Sequence, residues 1–482
     1  MIWLHSSTRS SLERSDRARI VMLRQLKSRC GLGLLIAAAA VACEDSTPLA
    51  ESEAIDRETS IPPTRVMAPG KPSLAERRTA TGQDIPGRFR PAREQAGEVD
   101  LSDEQREMVR ELEAIGYLSG TEQARGSGIT IHDRERAQTG LNFFASGHAE
   151  GATLMDMDGK VLHRWEFRFP DAFETPPLPH RGKRDQWWRR AFLLPNGDVI
   201  AIITGSGVMR IDKDSKLIWA KAIYAHHDLA FEPNGDMWVM TRKVHIVPRI
   251  NVKQPIVEDT LTLLDSEGNE KEGLSLLTAF ENSKFARIWL ETGRRSGDLF
   301  HSNSIERLDG RAARAHPAFK EGNLLISFLG LDAIAIVDPL KQKVVWAHRG
   351  EYHKQHDPKV LANGNLMLFD NQAFPRPSAV LEYELPTMRK VWEFRGSPSQ
   401  PFYSKALGTA QRLENGNTLI SESDFGRAFE VTPAGDIVWE FHNPQHAGEE
   451  DRFVAALPEM IRLPPGFATA WLDQPTIDNG QP

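Results

Sequence analysis

Two short patterns of polar and apolar positions alternate along the chain from about residue 140. The first is a polar turn feeding an apolar strand. It reads Pro195-Asn196-Gly197-Asp198-Val199-Ile200 and Pro233-Asn234-Gly235-Asp236-Met237-Trp238. It recurs as Asn363-Gly364-Asn365-Leu366-Met367-Leu368 and Asn415-Gly416-Asn417-Thr418-Leu419-Ile420, with a shortened copy at Gly322-Asn323-Leu324-Leu325-Ile326. Asn-Gly is a strong hairpin signal because both residues accept positive φ. The second pattern is Asp, a short turn, then a strand ending in Trp: Asp156 to Trp165, Asp212 to Trp219, Asp338 to Trp346 and the stretch ending Asp436-Ile437-Val438-Trp439. Glu384 to Trp392 is a variant, and Leu264-Asp265-Ser266-Glu267-Gly268 is a copy without its Trp.

The second pattern therefore occurs six times. Its Trp spacings are 54 residues (165 to 219), 46 (346 to 392) and 47 (392 to 439), and the gap of 127 between Trp219 and Trp346 has room for two units and an insertion. Several hairpins per repeat with no long helical pattern between them predict four-stranded sheets arrayed radially. The expected fold is all-β, a six-bladed β-propeller. An eight-bladed quinoprotein propeller, whose repeats also carry Asp-turn-Trp, is the alternative, and the copy number disfavours it.

The region before the repeats reads differently. Residues 1–29 are basic, and an apolar run of 12 residues follows from Gly31 to Ala42, too short for a spanning helix but suited to a signal peptide. It ends Ala40-Val41-Ala42-Cys43, similar to a bacterial lipoprotein cleavage site with Cys43 lipidated. Residues 43–100 have the composition of a disordered linker. Ser102 and Gln105 form a capping box, and Met108, Val109, Leu112 and Ile115 share the face of a short packing helix that Gly116 ends. The expected organisation is a signal peptide at 1–42, a linker at 43–100, a helix and connection at 101–130, and the propeller at 131–482. This places the protein in a bacterial cell envelope as a periplasm-facing lipoprotein, held to the membrane through Cys43.

Composition narrows the chemistry. With 59 Lys+Arg against 66 Asp+Glu the net charge is −7, which argues against a nucleic-acid partner. The 2 Cys exclude a disulfide framework or a Cys-rich metal site.

The histidines carry the candidate chemistry. His227 stands eight residues before Gly235 and His356 eight before Gly364, and each is followed by Asp, as His227-Asp228 and His356-Asp357. Other repeats place Arg189 and Gly408 there, and Phe300-His301-Ser302-Asn303-Ser304-Ile305 offers a third histidine in a comparable place. Inner strands line a propeller's channel, so these side chains should converge near one axis. A shared structural role, with Asp capping turns, is one alternative. A metal site is another, although an HExxH spacing is absent.

The segment Gln355-His356-Asp357-Pro358 with Leu361-Ala362-Asn363-Gly364-Asn365 and Leu368-Phe369-Asp370-Asn371 resembles the signature of bacterial arylsulfotransferases. So do His226-His227-Asp228, the His301-x-Asn303 pair and Thr409-Ala410-Gln411-Arg412-Leu413. The resemblance spans about residues 140–445. It implies a periplasmic six-bladed propeller that passes a sulfuryl group from an aryl sulfate to a phenol through a sulfohistidine, with no cofactor or nucleotide donor. It implies His356 as nucleophile, His227 as a channel histidine with His226 beside it, and His301 and Asn303 as a further pair. Asp357 or a backbone carbonyl would fix the tautomer of His356, with Asp228 in a similar supporting role. His227, His301 and Asn303 would donate hydrogen bonds to the sulfuryl oxygens. The family's Arg on the next inner strand has no counterpart in Ile326-Ser327-Phe328-Leu329-Gly330-Leu331, which leaves Arg349, Lys354, Arg376 or Arg412 as other sources of charge. The rival readings are a non-catalytic envelope propeller that binds a ligand or protein, and a quinone-dependent dehydrogenase.

Overall fold

The computed structural model describes residues 102–105, 126–174, 187–372, 377–447 and 453–473. The N-terminal basic and apolar stretch, Cys43, residues 43–100 and the four apolar helix positions from Met108 to Ile115 lie outside these residues, as do His180 and Arg376. Ser102 and Gln105 do make the capping box: Ser102 N donates to Gln105 Oε1 at 2.9 Å, and Gln105 N to Ser102 Oγ at 3.2 Å.

Among the described residues, six sheets of four strands or more, antiparallel except for one short parallel edge strand, follow one another around a closed ring. The second blade is Arg190–Leu193, Val199–Ile203, Gly207–Ile211 and Leu217–Lys221, innermost strand first. The third, fourth and fifth begin with inner strands Ala225–Phe231, Ser302–Arg307 and His356–Val360, and the sixth with Thr409–Arg412. The first blade is composite. Its three outer strands are Asn142–Ala145, Gly151–Met155 and Val161–Glu166, but its inner strand is Glu459–Arg462 from the other end of the chain. Gly128–His132 adds a fifth strand to the outer edge of the sixth blade. Both ends of the propeller are thus tied into sheets far away in sequence.

The strands read as near-continuous apolar runs because each blade is covered on both faces. Side chains alternate along a strand. In Val199–Ile203, Ile200 and Ile202 pack toward the third blade, while Val199, Ala201 and Ile203 pack toward the first. In Leu366–Asp370, Leu366 and Leu368 face the fourth blade, and Met367 and Phe369 the sixth. The core is therefore six layers between neighbouring blades.

The repeated turns have local causes. Gly197, Gly235, Gly364 and Gly416 all have φ between 84° and 90°. The Asn before each glycine does not share that positive φ, contrary to the sequence expectation. In Leu194-Pro195-Asn196-Gly197 the Gly197 N–H donates to Leu194 O at 3.0 Å, and Leu194 N–H to Asp198 O at 2.8 Å. This is a type I turn followed by a left-handed glycine, and Pro195, fixed at negative φ, suits its first corner. Asn196 Oδ1 then accepts from Asp198 N. In the second pattern the Asp plays a similar part: Asp156 Oδ1 accepts from the N–H groups of Asp158 and Lys160.

Four of the repeated tryptophans latch their blade to the next. Trp219 Nε1 donates to Ser266 O at 3.1 Å, Trp392 to Pro433 O at 2.9 Å, Trp439 to Met157 O at 2.9 Å and Trp165 to Gly197 O at 3.0 Å. The third blade, which has lost its Trp, instead carries the expected insertion. Ser275 caps the helix Leu276–Glu281, Arg287–Leu290 follows, and Gly297–Asp298 returns to pair with Ile256–Leu264. That return delivers Asp298 and His301 to the start of the fourth blade's inner strand.

Candidate active site

Register on the inner strands arranges the channel in layers. Three residues before the last residue of each inner strand stand Glu459, Arg190, Asp228, Ser304, Asp357 and Thr409. This layer is an ionic floor. Arg190 of the second blade reaches Asp228 at 2.7 Å and, across the axis, Asp357 at 3.2 Å, and it also pairs with Glu459. Asp228 Oδ2 accepts from Ile305 N at 3.0 Å, and Asp357 N donates to Ser304 Oγ at 3.1 Å. Burial opposes charge here, but the three carboxylates hold Arg190 well above its ordinary pKa. Burial pushes Asp357 up, and Lys359 and Arg190 outweigh it, holding the carboxyl below the usual range.

One residue earlier, on the strand or just before it, stand Pro458, Arg189, His227, Asn303, His356 and Gly408. At Gly408, with φ 122°, a β-carbon would collide with the Phe369 ring, which explains glycine in that repeat. By this count Asn303, rather than His301, is the equivalent of His227 and His356. His301 lies two residues earlier but still meets the group: its ring centroid is 5.4 Å from that of His227. His227, His301 and Asp357 adopt φ of 53°, 47° and 51°. Non-glycine residues rarely hold such angles; bulges between neighbouring strands contain His227 and Asp357, and His301 lies just before a bulged strand.

The environment of His356 fixes its tautomer. Asn371 Nδ2 donates to the carbonyls of Ser404 at 2.8 Å and Leu407 at 2.6 Å, so its Oδ1 must face His356. His356 Nδ1–H then donates to Asn371 Oδ1 at 2.7 Å and to Lys354 O at 3.0 Å. The lone pair is left on Nε2. Burial, and next the charge of Arg189, push the pKa of His356 down to about 3, so the ring is neutral at ordinary pH. The backbone-carbonyl expectation for the tautomer holds through Lys354. Asp357 and Asp228 do not orient the histidines. They face Arg190, because a buried guanidinium across the axis outcompetes an imidazole for carboxylates.

His227 is set by its neighbour. His226 lies behind it, and Nε2–H of His226 donates to Thr241 O at 3.2 Å. Neutral His226 therefore accepts at Nδ1 from His227 Nδ1–H, 2.9 Å away. His227 is left with a lone pair on Nε2, so in this state it takes a proton rather than gives one. Burial, then Arg189, hold His227 well below its ordinary pKa, while burial and Arg242 lower His226 to about 3.

His301 differs. Its Nδ1–H donates to Asp298 Oδ2 at 2.7 Å, and its backbone N–H to Asp298 Oδ1 at 2.9 Å. Asp259, raised to about 7 by burial, accepts from Ser302 N at 2.7 Å and stands 3.7 Å from His226. Asn303 Nδ2 donates to Gln355 O at 2.9 Å, and its Oδ1 is buried without a partner. Of the other expected charges, Arg349 is taken by Leu331 O at 3.0 Å, and Arg412 by Glu382 at 2.6 Å. Among the described residues no group of three or more His, Cys, Asp or Glu is arranged to hold a metal ion.

Sequence patterns alone did not point to Asn371, Asp298, Asp259 or Arg189. Asn371 sits in the quoted Leu368-Phe369-Asp370-Asn371 segment, and Arg189 at the repeat position of the histidines. Asp298 and Asp259 have no signal in repeat register, since one follows the insertion and the other lies on a third strand.

Similarity to solved structures is distant. A protein of unknown function from Bacteroides caccae is 12% identical, covering 67% of this chain and 98% of that one with a TM-score of 0.45. A catalytically inactive virginiamycin B lyase from Staphylococcus aureus with quinupristin is 12% identical, covering 71% and 97% with a TM-score of 0.37. No curated protein matches the chain. The family described as arylsulfotransferase (ASST) matches residues 190–444, from the inner strand of the second blade to the end of the sixth. That span is more than half of the 482 residues, and it contains the inner strands that carry His227, Asn303 and His356: the chain belongs to the arylsulfotransferase family.

Proposed function

We propose that this protein transfers a sulfuryl group from an aryl sulfate to a phenolic acceptor through a sulfated His356. The observation that carries the reading is the tautomer lock at His356, which leaves a neutral Nε2 lone pair toward the channel. In the first half-reaction Nε2 attacks sulfur, the sulfur–aryl oxygen bond breaks, and the phenolate takes a proton from protonated His301. Asp298 balances the His301 charge and fixes the ring. The positive charge left on the sulfated ring is shared through Nδ1–H with Asn371 Oδ1 and Lys354 O. In the second half-reaction the acceptor phenol gives its proton to His301, attacks sulfur and frees His356. Protons balance over the cycle, and splitting one displacement into two lowers the barrier to each.

The same reading makes the protein a periplasm-facing lipoprotein of a bacterial envelope. The apolar run before Cys43 supports this. Retention of the wild-type chain in membranes, and release of Cys43→Ser, is the expected result; equal release of both would contradict the anchor.

The kinetic test uses the full-length protein with p-nitrophenyl sulfate and phenol. Parallel double-reciprocal lines are expected for a covalent intermediate. Intersecting lines would contradict it.

A further inference from the structure

Arg189 and Arg190 are adjacent, both buried, and opposite in their surroundings. They are 5% and 6% exposed. Arg190 faces Asp228, Asp357 and Glu459. Arg189 makes no ion pair and no side-chain hydrogen bond among the described residues, and its Nε is buried without a partner. Removing a charge from water is costly unless an opposite charge replaces the lost solvation. Burial and the charge of Arg190 lower the Arg189 guanidinium to about 10, which still leaves it charged at neutral pH. Asp228, Glu459 and Asp357 favour the charge from a distance, but among the described residues no carboxylate pairs with the Arg189 guanidinium.

The position is informative as well. Arg189 stands in the His227, Asn303 and His356 layer, on the blade opposite His356. Among neighbouring charges it acts most strongly on both histidines. His227 Nε2 offers a lone pair, and the strand Leu324–Phe328 carries Ser327, whose hydroxyl donates to Gln355 O at 3.0 Å. Neither can supply a positive charge to an incoming oxyanion.

We infer that Arg189 is the anion-binding residue of this channel, its planar fork holding the sulfonate oxygens of the aryl sulfate. It supplies from the second blade the guanidinium that the strand Leu324–Phe328 lacks. The ligand named rests on the sulfuryl-transfer reading above. A guanidinium suits two oxygens of one sulfonate. The sulfonate keeps its negative charge after transfer, so Arg189 serves the donor and the sulfohistidine alike.

The test compares full-length wild type with Arg189→Met, Arg189→Gln and Arg189→Lys. Phenyl sulfate binding is measured by calorimetry in a His356→Ala background, where no transfer occurs. Removing the charge is expected to weaken binding about 100-fold and to lower kcat/KM about 10²- to 10³-fold, with Lys intermediate. The acid limb of kcat/KM should also move to higher pH in the Met and Gln variants but stay in place in Lys, a readout that a packing role would not move. If Met does not fold, Gln and Lys carry the test.

Two results separate the claims. A wild type that forms the His356 adduct, with charge-removed variants of unchanged affinity and kcat/KM, overturns the role of Arg189 and leaves sulfuryl transfer standing. A wild type that forms no adduct with any aryl sulfate, yet binds phenyl sulfate only when Arg189 is present, overturns transfer and upholds the anion site.

Discussion

The Nδ1–H of His356 donates to Asn371 Oδ1 across 2.7 Å, and that bond decides which ring nitrogen faces the channel. Asn371 cannot turn its amide around, because its Nδ2 is held by the carbonyls of Ser404 and Leu407. Asn371→Leu leaves the Nδ1 proton held by the Lys354 carbonyl at 3.0 Å without its shorter partner, so a larger share of the imidazole carries its proton on Nε2, where a lone pair is needed. kcat should fall about 10²- to 10⁴-fold with a smaller change in KM, the range seen when a catalytic imidazole loses its orienting partner. Steady-state kinetics check this, and an unchanged kcat would remove Asn371 from the account.

Stability should carry the signature of a histidine buried in its neutral form. The folded pKa of His356 is about 3, below the unfolded value near 6.5. Between those values the unfolded chain binds a proton at this position and the folded chain does not. The contribution is therefore fully present above pH 6.5 and is lost as pH falls toward 3. Asp259, Glu306 and Glu272, each raised to about 7, work in the opposite direction and mask the effect in a single profile. Comparison with His356→Gln cancels them. The wild type should lose stability relative to the variant by roughly 1.4 kcal/mol per pH unit across that window. Urea denaturation at a series of pH values measures it, and parallel curves would contradict a neutral buried His356.

The ionic floor should be unforgiving of one missing member. Arg190→Met leaves Asp228, Asp357 and Glu459 facing one another in a buried site. A loss of about 3–5 kcal/mol is expected, because breaking a buried pair leaves an uncompensated charge. Adding Asp357→Asn should recover part of it. Additive losses in the double variant would show that these residues do not act as one network.

Trp439 closes the ring by donating to Met157 O from the sixth blade to the first. Trp439→Phe keeps an aromatic ring but leaves the buried carbonyl unpaired, at a cost of about 1–3 kcal/mol. Chemical denaturation reads this directly, and a wild-type midpoint would make the latch energetically silent.

The blades were legible because their signals are local. Asn196 and Asp156 bond to backbone groups two to four residues away, and such turn chemistry repeats wherever the turn does. The closing strand Glu459–Arg462 was not legible, because it pairs with Asn142–Ala145 across more than 300 residues and carries no Asn-Gly turn. At the site, His227 and His356 stood out by their spacing to Gly235 and Gly364. The sequence suggests Asp228 and Asp357 as partners of those histidines, since an Asp after a His looks the same whether it orients the ring or pairs elsewhere. Arg190, opposite in the channel, decides it, and only the closed ring brings it there. His301 was found, but its partner Asp298 follows an insertion and lies outside the repeat. Arg189 stands at the repeat position in plain view; its meaning depends on its having no ion-pair partner among the described residues, which sequence cannot reveal.

The central claim is a covalent sulfuryl group on His356, and intact mass tests it most directly. Full-length protein mixed with p-nitrophenyl sulfate should gain about 80 Da, one SO₃ group. The gain should vanish on addition of phenol and should not occur in His356→Ala. A wild type that releases nitrophenol to the acceptor without ever gaining that mass, or a His356→Ala variant that gains it equally, would contradict the account.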